Sequence, residues 1–592
     1  MALLDPHSYA DAAQPVTRHF RLALLVDFEA RRLKGHVTLE LDRAAEGQLD
    51  LDTRDLVIER VEDHRGQALP FELGPTDPVR GQRLRIQTRG DNVKIHYATG
   101  PGASALQWLE PAQTAGKEAP FVYTQCQAIH ARSVLPCQDT PRVRATYHAE
   151  LDIPAPLTAV MAAAHRGAQA TGPGRTTYRF EMPQAIPSYL FALAVGDLKK
   201  RDLGPRSALY AEPKTIEAAA WEFGEVDRIL RTAEGLFGPY PWERFDLLLM
   251  PPSFPYGGME NPRLTFLTPS LLAGDRSLVN VVGHELAHSW TGNLVTNASM
   301  NDFWLNEGFT VYAERRILEA LEGEASAALH ASLGKSGLEK DLARLSKSDP
   351  KLTRLRNRLD GVDPDEVYSQ VPYEKGYLFL LAMERVVGRP RFDRFIGDYI
   401  RTFAFQSITT EDFLSFLATA LPEVKGKVDL DVWIDGVGLP ADAPVQASGK
   451  LEHVQALAAM MRDGRRPDRA VLAALDSTEW QVFLTLLGQR LPLPDCAWLD
   501  AELGLSKRSN LEIRVAFLAL AAGSGWAPCF AAVEATLNSI GRMKYLRPLY
   551  TALLSAGPEG RAVAVRAAQA AGPGYHPVAR GLVEALIAKE GS

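Results

Sequence analysis

One pair of short motifs constrains this chain more than any other feature. The first is His284-Glu285-Leu286-Ala287-His288, inside a stretch with the period of a helix from residue 278 to 291. Residues four apart on a helix lie on one face, so the two imidazoles project together. Neutral imidazole nitrogens suit zinc, and Glu285 can reach an attacking water without being a ligand. A catalytic zinc needs a third protein ligand and an open position.

The second motif predicts that ligand. Glu307, within Asn306-Glu307-Gly308-Phe309, follows His288 after 18 intervening residues. The spacing leaves room for a loop and a returning helix, for which Asp302 is the predicted N-cap. A surface helix with scattered His and Glu is the competing interpretation. The apolar flanks argue against it, because a buried His/Glu/His set is costly without a partner.

Glu314 lies seven residues beyond Glu307, two turns along the same predicted helix. It is a candidate for orienting a zinc histidine from behind. A surface ion pair with Arg315 or Arg316 is the alternative, and the sequence leaves both open.

Composition excludes several classes of function. With 592 residues the chain is too long for one domain, and its net charge of -7 gives no footprint for nucleic acid. The N-terminus has no basic and apolar signal-peptide pattern, and no apolar run reaches the 18 or so residues of a membrane span. We expect a cytoplasmic monomer without membrane contact. The cysteines are too few for a disulfide framework and form no CxxC pair: Cys126, Cys137, Cys496 and Cys529.

The first part of the chain, residues 1–196, alternates apolar and polar residues as strands do. Residues 21–42 predict two strands with a turn near Lys34-Gly35. Prolines and glycines separate further short segments of the same kind, which predicts a β-sheet domain. Residues 121–141 are dense in Gln, Cys and His instead. His130 in this stretch is a candidate metal ligand, but a lone histidine is more often structural.

The remainder predicts two further domains and, overall, a multidomain α+β fold. Residues 197–440 mix helical periods with strand-like pieces and contain the zinc motifs, and Gly436–Gly449 is a linker-like stretch. Residues 441–592 read as helices of 8–13 residues joined by short turns. This pattern is typical of stacked helix pairs in the armadillo or HEAT style, although no fixed sequence repeat is present.

These motifs resemble the zinc aminopeptidases of the aminopeptidase N (M1) family. Besides HExxH, 18 residues and NEGF, Gly257-Gly258-Met259-Glu260-Asn261 looks like the family's GxMEN. Other stretches resemble the leukotriene hydrolase/aminopeptidase branch. They include QCQAIH from Gln125, LPCQDTP from Leu135, PYGG from Pro255, VPYEKG from Val371 and GRMK from Gly541. The resemblance implies an N-terminal β-saddle, a thermolysin-like α/β catalytic domain and a C-terminal α-helical domain.

The resemblance also implies roles for residues around the zinc. One Zn²⁺ per chain is held by His284, His288 and Glu307, and Glu285 is the general base. Tyr373 is implied to donate its hydroxyl to the oxyanion. The alternative interpretation is that Tyr373 only packs against its neighbours.

A second group of residues is implied to bind substrate. Glu260 is implied to pair with the free ammonium of a peptide. The alternative interpretation is that Glu260 is a solvent-exposed glutamate in a loop. Gln127 is a second polar contact, and the glycines before Glu260 allow close approach of backbone to substrate. The remaining implied binding residues are Tyr256, Gly257, Gly258, Tyr368, Asp365, Arg542 and Lys544. In the branch, Arg542 and Lys544 match residues that bind a peptide's C-terminal carboxylate, whereas a solvated helix start is an equally good interpretation of the sequence alone.

The expected function is therefore zinc-dependent removal of N-terminal residues from short peptides, with tripeptides favoured. Hydrolysis of a lipid epoxide at the same site is an alternative, which Asp365 and Arg542 permit. A catalytically dead scaffold is a third interpretation. It is disfavoured because Glu285, the three ligands, Glu260 and Tyr373 are all intact.

Overall fold

The N-terminal part of the molecule is built from β-strands. The computed structural model describes residues 5–446 and 448–589. The strands of this part are β1 (Thr17–Asp27), β2 (Arg32–Thr53), β3 (Val57–Asp63), β4 (Phe71–Leu73), β5 (Gln82–Ala98), β6 (Leu106–Leu109), β7 (Phe121–Thr124), β8 (Arg144–Pro154), β9 (Thr158–Met161), β10 (Ala164–Gly172), β11 (Arg175–Pro187) and β12 (Leu193–Gly196).

These strands form two sheets. The larger runs in the order β10-β11-β8-β1-β2-β5-β3, with β4 also paired to β5, and the smaller runs β6-β7-β12-β9. Alternation explains the larger sheet, since Leu22, Leu24 and Val26 of β1 are all buried in the core while their neighbours are more exposed. The stretch from 121 to 141, which lacks alternation, contains β7 and then a loop with one 3₁₀ turn, Ala131–Ser133.

The predicted turn at Lys34-Gly35 is wrong. The chain turns at residues 28–31, where Arg31 has a φ of 50°, and Gly35 lies inside β2. Gly35 pairs with Leu24 of β1, and a Cβ on it would lie 1.9 Å from the carbonyl oxygen of Ala23. The glycine is therefore needed for close approach of two strands and not for a turn.

The central part mixes strands and helices. Its strands are β13 (Lys199–Gly204), β14 (Ser207–Ala211), β15 (Asp246–Leu249), β16 (Gly258–Met259), β17 (Leu264–Leu267), β18 (Val295–Asn297) and β19 (Gln406–Ile408). Its helices are α1 (Ile216–Glu222), α2 (Val226–Phe237), α3 (Val279–Ala287), α4 (Trp304–Glu322), α5 (Glu324–Ser348), α6 (Gly376–Val387), α7 (Arg389–Thr402), α8 (Thr410–Ala420) and α9 (Leu430–Ile434).

In the central part, helix α3 lies between an edge strand and helix α4. Its main sheet runs β13-β14-β15-β17-β16, so β16 is an edge strand. Helix α3 packs against both β16 and α4. Large buried aromatic side chains, among them Trp290 and Trp304, belong to the core that this part shares with the N-terminal sheets.

The C-terminal part is helical. Its helices are α10 (Gly449–Arg462), α11 (Arg469–Ala473), α12 (Ser477–Leu486), α13 (Leu493–Leu503), α14 (Leu511–Gly523), α15 (Phe530–Leu537), α16 (Met543–Ser555), α17 (Pro558–Ala571) and α18 (Pro577–Lys589). Each even-numbered helix packs on the next even-numbered one, and α11 on α13 and α15 on α17 do the same. The result is two layers of stacked helices around a core of their own.

The predicted multidomain α+β class is confirmed, with a β-sheet part, a mixed part and a helical part in that order. The exact boundaries at 196/197 and 440/441 stay predictions. In the predicted linker, the described residues between Ile434 and Gly449 contain no helix or strand. None of the helices in the described part of the chain is both long and apolar enough to span a membrane.

Gly35→Ala tests the close approach of β1 and β2. The added Cβ would clash with a backbone carbonyl, which cannot move without opening the strand pair. Overpacking of this kind costs about 1–3 kcal/mol, and in a domain of this size each kcal/mol lowers the melting temperature by roughly 2–4 °C. Gly102→Ala is the matched control, because a Cβ there meets nothing within 4 Å. Equal melting temperatures for the two variants would contradict the claim that Gly35 is needed for the close approach of β1 and β2.

Candidate metal centre and active site

The first two candidate ligands lie at the end of α3. The helix ends at Ala287 and not at Thr291 as predicted, because the chain turns into Gly292, whose φ of +111° no helix allows. His288 nevertheless keeps helical angles, φ −52° and ψ −24°. Its Nε2 lies 3.2 Å from Nε2 of His284. The two imidazoles therefore meet on one side, as the spacing of four predicts.

The third candidate ligand comes from α4. Oε2 of Glu307 lies 3.5 Å from Nε2 of His284 and 3.6 Å from Nε2 of His288. The three ligand atoms all lie within 4.8 Å of one another. Among the described residues, none gives a hydrogen bond to the buried Oε2 of Glu307. A buried carboxylate oxygen without a hydrogen-bond donor, facing two imidazole nitrogens, fits a zinc ion.

The predicted capping role of Asp302 is wrong. The N-cap of α4 is Phe303, and Asp302 ends a preceding 3₁₀ turn, Met300–Asp302. Oδ1 of Asp302 instead accepts hydrogen bonds from the backbone N–H and the hydroxyl of Thr410, at 3.1 and 2.7 Å. Asp302 therefore ties the start of α4 to the start of α8.

Both ligand histidines are oriented from behind. Nδ1 of His284 lies 3.0 Å from Oε2 of Glu314, as the first of the two interpretations of Glu314 predicts. The alternative is an ion pair of Glu314 with Arg315 or Arg316, but Arg315 pairs with Glu374 and Arg316 with Asp393. Nδ1 of His288 lies 3.2 Å from the carbonyl of Thr291 and 3.1 Å from the hydroxyl of Thr310. Such partners fix which nitrogen faces a metal.

Glu285 lies beside the ligands under the GGMEN segment. A Cβ on Gly258 would lie 2.3 Å from Oε1 of Glu285, so only glycine admits this approach. Burial, aided by the charges of Glu307 and Glu314 and opposed by His284, raises the pKa of Glu285 to about 8. A carboxyl with such a pKa can both take and return a proton near neutral pH.

Glu260 follows the edge strand β16 and is buried. Nε2 of Gln127 donates to its Oε1 at 3.1 Å, and Nδ2 of Asn293 donates to its backbone carbonyl at 2.7 Å. Burial, followed by the charges of Glu307 and Glu285, raises the pKa of Glu260 well above its ordinary value. A divalent cation or a ligand ammonium at this cluster of three buried carboxylates would therefore favour their charged forms.

A second triad, Glu260, Glu285 and His288, also has ligand atoms within 4.8 Å of one another. Glu260 in this triad is already engaged by Gln127. The set with His284 leaves Glu285 and Glu260 unligated, and it contains the oxygen of Glu307 that lacks a donor.

Tyr373 lies in a single π-helical turn, Val371–Lys375, ahead of α6. Its ring is stacked on that of His284, with centroids 6.3 Å apart. Burial, followed by the charge of Glu307, raises the pKa of Tyr373 well above its ordinary value, so the hydroxyl stays protonated. Tyr368 contacts the Tyr373 ring edge-on at 5.8 Å and is 56% exposed, at the rim.

Arg542 reaches the GGMEN segment from the C-terminal part. Its Nη2 lies where a Cβ on Gly257 would be only 2.8 Å away. Its Nη1 donates to Ser270 and to the hydroxyl of Tyr545, at 3.2 and 3.0 Å. Two backbone hydrogen bonds hold the residues around Arg542 against the chain just before the GGMEN segment. The N–H of Gly541 donates to the carbonyl of Pro252, and the N–H of Met543 donates to the carbonyl of Pro255.

Lys544 and Asp365 are less available to a ligand than the sequence suggests. Nζ of Lys544 donates to Glu512 at 2.7 Å, and Glu512 also accepts from Tyr545. Oδ2 of Asp365 lies 2.7 Å from Nε2 of His130. His130 is thus the partner of Asp365 and belongs to neither of the candidate metal triads. Tyr256 is half-buried and packs on Phe254.

Sequence reasoning missed several residues of the site. Thr310, Asn293, Ser270, Glu512 and Tyr545 all contact candidate site residues. Thr310 carried a usable signal, since it lies three residues beyond Glu307 on the same helix. The contacts of Arg542 with Ser270 join positions 272 residues apart, which no local pattern reveals.

Comparison with known proteins gives the same picture. Three family descriptions match: the peptidase M1 N-terminal domain over residues 16–190, the peptidase family M1 domain over 221–433 and the leukotriene A4 hydrolase C-terminal domain over 475–587. The chain is 39% identical to leukotriene A-4 hydrolase of Xenopus laevis over 93% of each protein. It is 40% identical to aminopeptidase B of Rattus norvegicus over 89% of this chain and 82% of that protein.

Solved structures extend the similarity to the fold. Yeast leukotriene A4 hydrolase in complex with bestatin superposes with a TM-score of 0.92 at 34% identity, covering 98% of this chain and 97% of that one. An M1 zinc metallopeptidase from Deinococcus radiodurans shares the fold, with a TM-score of 0.61 at 24% identity over 76% of this chain and 99% of that one. The chain belongs to peptidase family M1, has the three-domain architecture of leukotriene A4 hydrolase, and is a zinc metallo-aminopeptidase.

Proposed function

We propose that this enzyme removes the first residue from short peptides, with tripeptides favoured. The observation that carries the proposal is the position of Glu260, a buried carboxylate next to the base and the metal ligands. An ammonium that pairs with Glu260 places the first peptide bond of the substrate, and no internal one, beside Glu285. Gln127 supports this role by holding one oxygen of Glu260.

Glu285 is proposed as the general base, with His284, His288 and Glu307 as the residues that hold zinc. When bound there, zinc supplies Lewis-acid activation of water and of the scissile carbonyl. Glu285 accepts the proton of the attacking water and delivers it to the leaving amine. Its position against Gly258 keeps its carboxylate close to the substrate path.

Tyr373 is proposed as the donor to the oxyanion. Its hydroxyl remains protonated because it is buried beside Glu307. One aimed donor of this kind contributes roughly 10²–10³ in kcat. The stacking of Tyr373 on His284 supports its closeness to the reacting carbonyl.

Arg542 is proposed to bind the C-terminal carboxylate of the peptide. It is a buried guanidinium beside Gly257, and Ser270 and Tyr545 hold its orientation. A fixed cation meets the C-terminus at one chain length only, which favours short peptides. Lys544, already bound to Glu512, adds positive charge at a distance.

The other implied residues are proposed to contact the substrate. We propose that Tyr256, Gly257 and Gly258 form the wall next to Glu260, and that Tyr368 lies at the entrance. Asp365 is proposed to face the side chain of the first residue and to favour a basic one.

Hydrolysis of a lipid epoxide is a second candidate activity. It is favoured by the similarity over 93% of each chain to a protein named leukotriene A-4 hydrolase. Asp365 and Arg542 are both present for it. Because the buried Glu260 offers a partner that a peptide ammonium uses and an epoxide does not, peptide hydrolysis is the better supported of the two.

We also propose that the enzyme acts in the cytoplasm as a monomer. The described structure has four free cysteines, Cys126, Cys137, Cys496 and Cys529, which suit a reducing compartment. All residues of the proposed site come from one chain, so catalysis requires no second copy.

Glu285→Gln tests the base directly. The amide keeps the shape of the side chain but cannot accept the proton, so peptidase activity should fall by about 10²–10⁴. Elemental analysis should still find close to one zinc per chain, because Glu285 is not a proposed ligand. Glu324→Gln, an exposed position at the start of α5, is the control. Retained activity in Glu285→Gln would refute the assignment, as would loss of its zinc.

Arg542→Ala tests the carboxylate anchor. Loss of a charged hydrogen bond costs about 1.5–3 kcal/mol, which is roughly a 10–150-fold rise in KM for a tripeptide. An aminoacyl anilide has no carboxylate, so its KM should change less than about threefold, and its turnover also shows that the variant is folded. Arg490→Ala is the exposed control. Equal losses for both substrates would rule out the anchor role.

A further inference from the structure

The turn that carries Tyr373 is held on three sides. Before the turn, the N–H of Gln370 donates to Oδ2 of Asp341 in α5, at 2.8 Å. After Tyr373, Glu374 forms an ion pair with Arg315 of α4. Nζ of Lys375 then donates to the carbonyls of Thr353 and Gly436, at 2.9 and 2.8 Å. Of these contacts, only the ion pair with Arg315 joins the turn to a helix that carries a zinc ligand.

The Arg315–Glu374 ion pair is enclosed. Nη2 of Arg315 donates to both carboxylate oxygens of Glu374, at 2.6 and 2.9 Å, and the residues are 7% and 6% exposed. The guanidinium also lies 4.0 Å from the centroid of the Tyr377 ring. Helix α5 closes over the pair at Gly334, where a Cβ would lie 2.1 Å from Oε1 of Glu374.

Stability alone does not explain this ion pair. Nε and Nη1 of Arg315 are buried without a hydrogen-bond partner among the described residues. A buried ion pair with unsatisfied donors gives little net stability compared with apolar packing of similar volume. The contact of Nη2 with both carboxylate oxygens does fix the direction of Glu374, and therefore the rotation of the turn that also presents Tyr373.

Arg315 lies on α4, the helix that also carries residues of the candidate metal site. Helix α4 carries Glu307, then Glu314, which contacts His284 at 3.0 Å, and then Arg315. The backbones of α4 and the turn also meet directly, since a Cβ on Gly308 would lie 3.1 Å from the carbonyl oxygen of Pro372. A single rigid element thus relates the ligands to the position of Tyr373.

We propose that the Arg315–Glu374 ion pair positions the hydroxyl of Tyr373 relative to the metal site, and that both residues act on kcat through Tyr373. The proposal rests on the role of Tyr373 as oxyanion donor. Neither residue is placed in contact with substrate, so they are positioning residues and not catalytic ones. Misplacing a reacting group by about 1 Å can cost roughly 10²-fold in rate.

A double-mutant cycle separates positioning from mere structure. Glu374→Gln, Tyr373→Phe and the double variant are compared by kcat and KM on a tripeptide and on an aminoacyl anilide, at raised enzyme concentration. Glu374→Gln should lower kcat about tenfold or more, with KM changed less than about threefold and zinc content unchanged. In the Tyr373→Phe background the same substitution should cost less than about twofold, because the group that it positions is gone.

Two further variants complete the test. Glu234→Gln removes the charge of a partly exposed ion pair with Arg206, remote from Tyr373, and should leave kcat unchanged. Gly334→Ala displaces Glu374 while keeping both charges, and it replaces Glu374→Gln if that variant does not fold. Its loss in kcat should likewise vanish in the Tyr373→Phe background.

Three results would overturn the positioning role: unchanged kcat in Glu374→Gln, equal fold-losses in the two backgrounds, or a loss of zinc that accounts for the lost rate. Full activity of Tyr373→Phe alone would be a different failure. It would refute the proposed function of Tyr373 and not the geometry of the ion pair.

Discussion

Burial of negative charge is the constraint on which this site depends. Glu260, Glu285 and Glu307 are all more than nine-tenths buried, and burial, together with the charges of neighbouring carboxylates, raises the pKa of the first two. Such a cluster is costly in its charged form unless cations balance it, and without them its carboxyls take up protons. In the proposed arrangement, a divalent ion among His284, His288 and Glu307 supplies part of that positive charge. We propose that the ammonium of a peptide beside Glu260 supplies the rest.

Glycine makes this concentration of groups possible. Gly258 lets Glu285 lie under the edge strand, and Gly257 gives the same access to Arg542 from the C-terminal helices. Gly308 and Gly376 let the backbone of α4 approach the start of α6, directly after the Tyr373 turn. In each case a methyl group would separate two parts of the chain that supply different components of one site. The fold therefore brings separate segments of the chain together around the candidate site through close approaches at glycine.

The sequence predicted the parts of the fold and site that depend on local periodicity or spacing. Alternation gave the N-terminal sheets, the helical period gave the C-terminal helices, and the spacing of four between histidines gave the meeting of His284 and His288. It failed where tertiary contacts decide: Gly35 serves strand packing and Asp302 serves α8. Long-range partners such as Glu512 with Lys544 left no local pattern. The roles of Glu260, Tyr373 and Arg542 came from family resemblance, because a lone residue carries no period.

The central claim concerns where the metal binds, and anomalous diffraction at the zinc edge tests it most directly. A crystal of the zinc-loaded enzyme should show one strong peak at about 2.0–2.2 Å from Nε2 of His284, Nε2 of His288 and the carboxylate of Glu307. Glu285 should not be a ligand. A peak held instead by Glu260, Glu285 and His288, the other triad of potential ligands, would contradict the account, since it would occupy both the proposed base and the ammonium site.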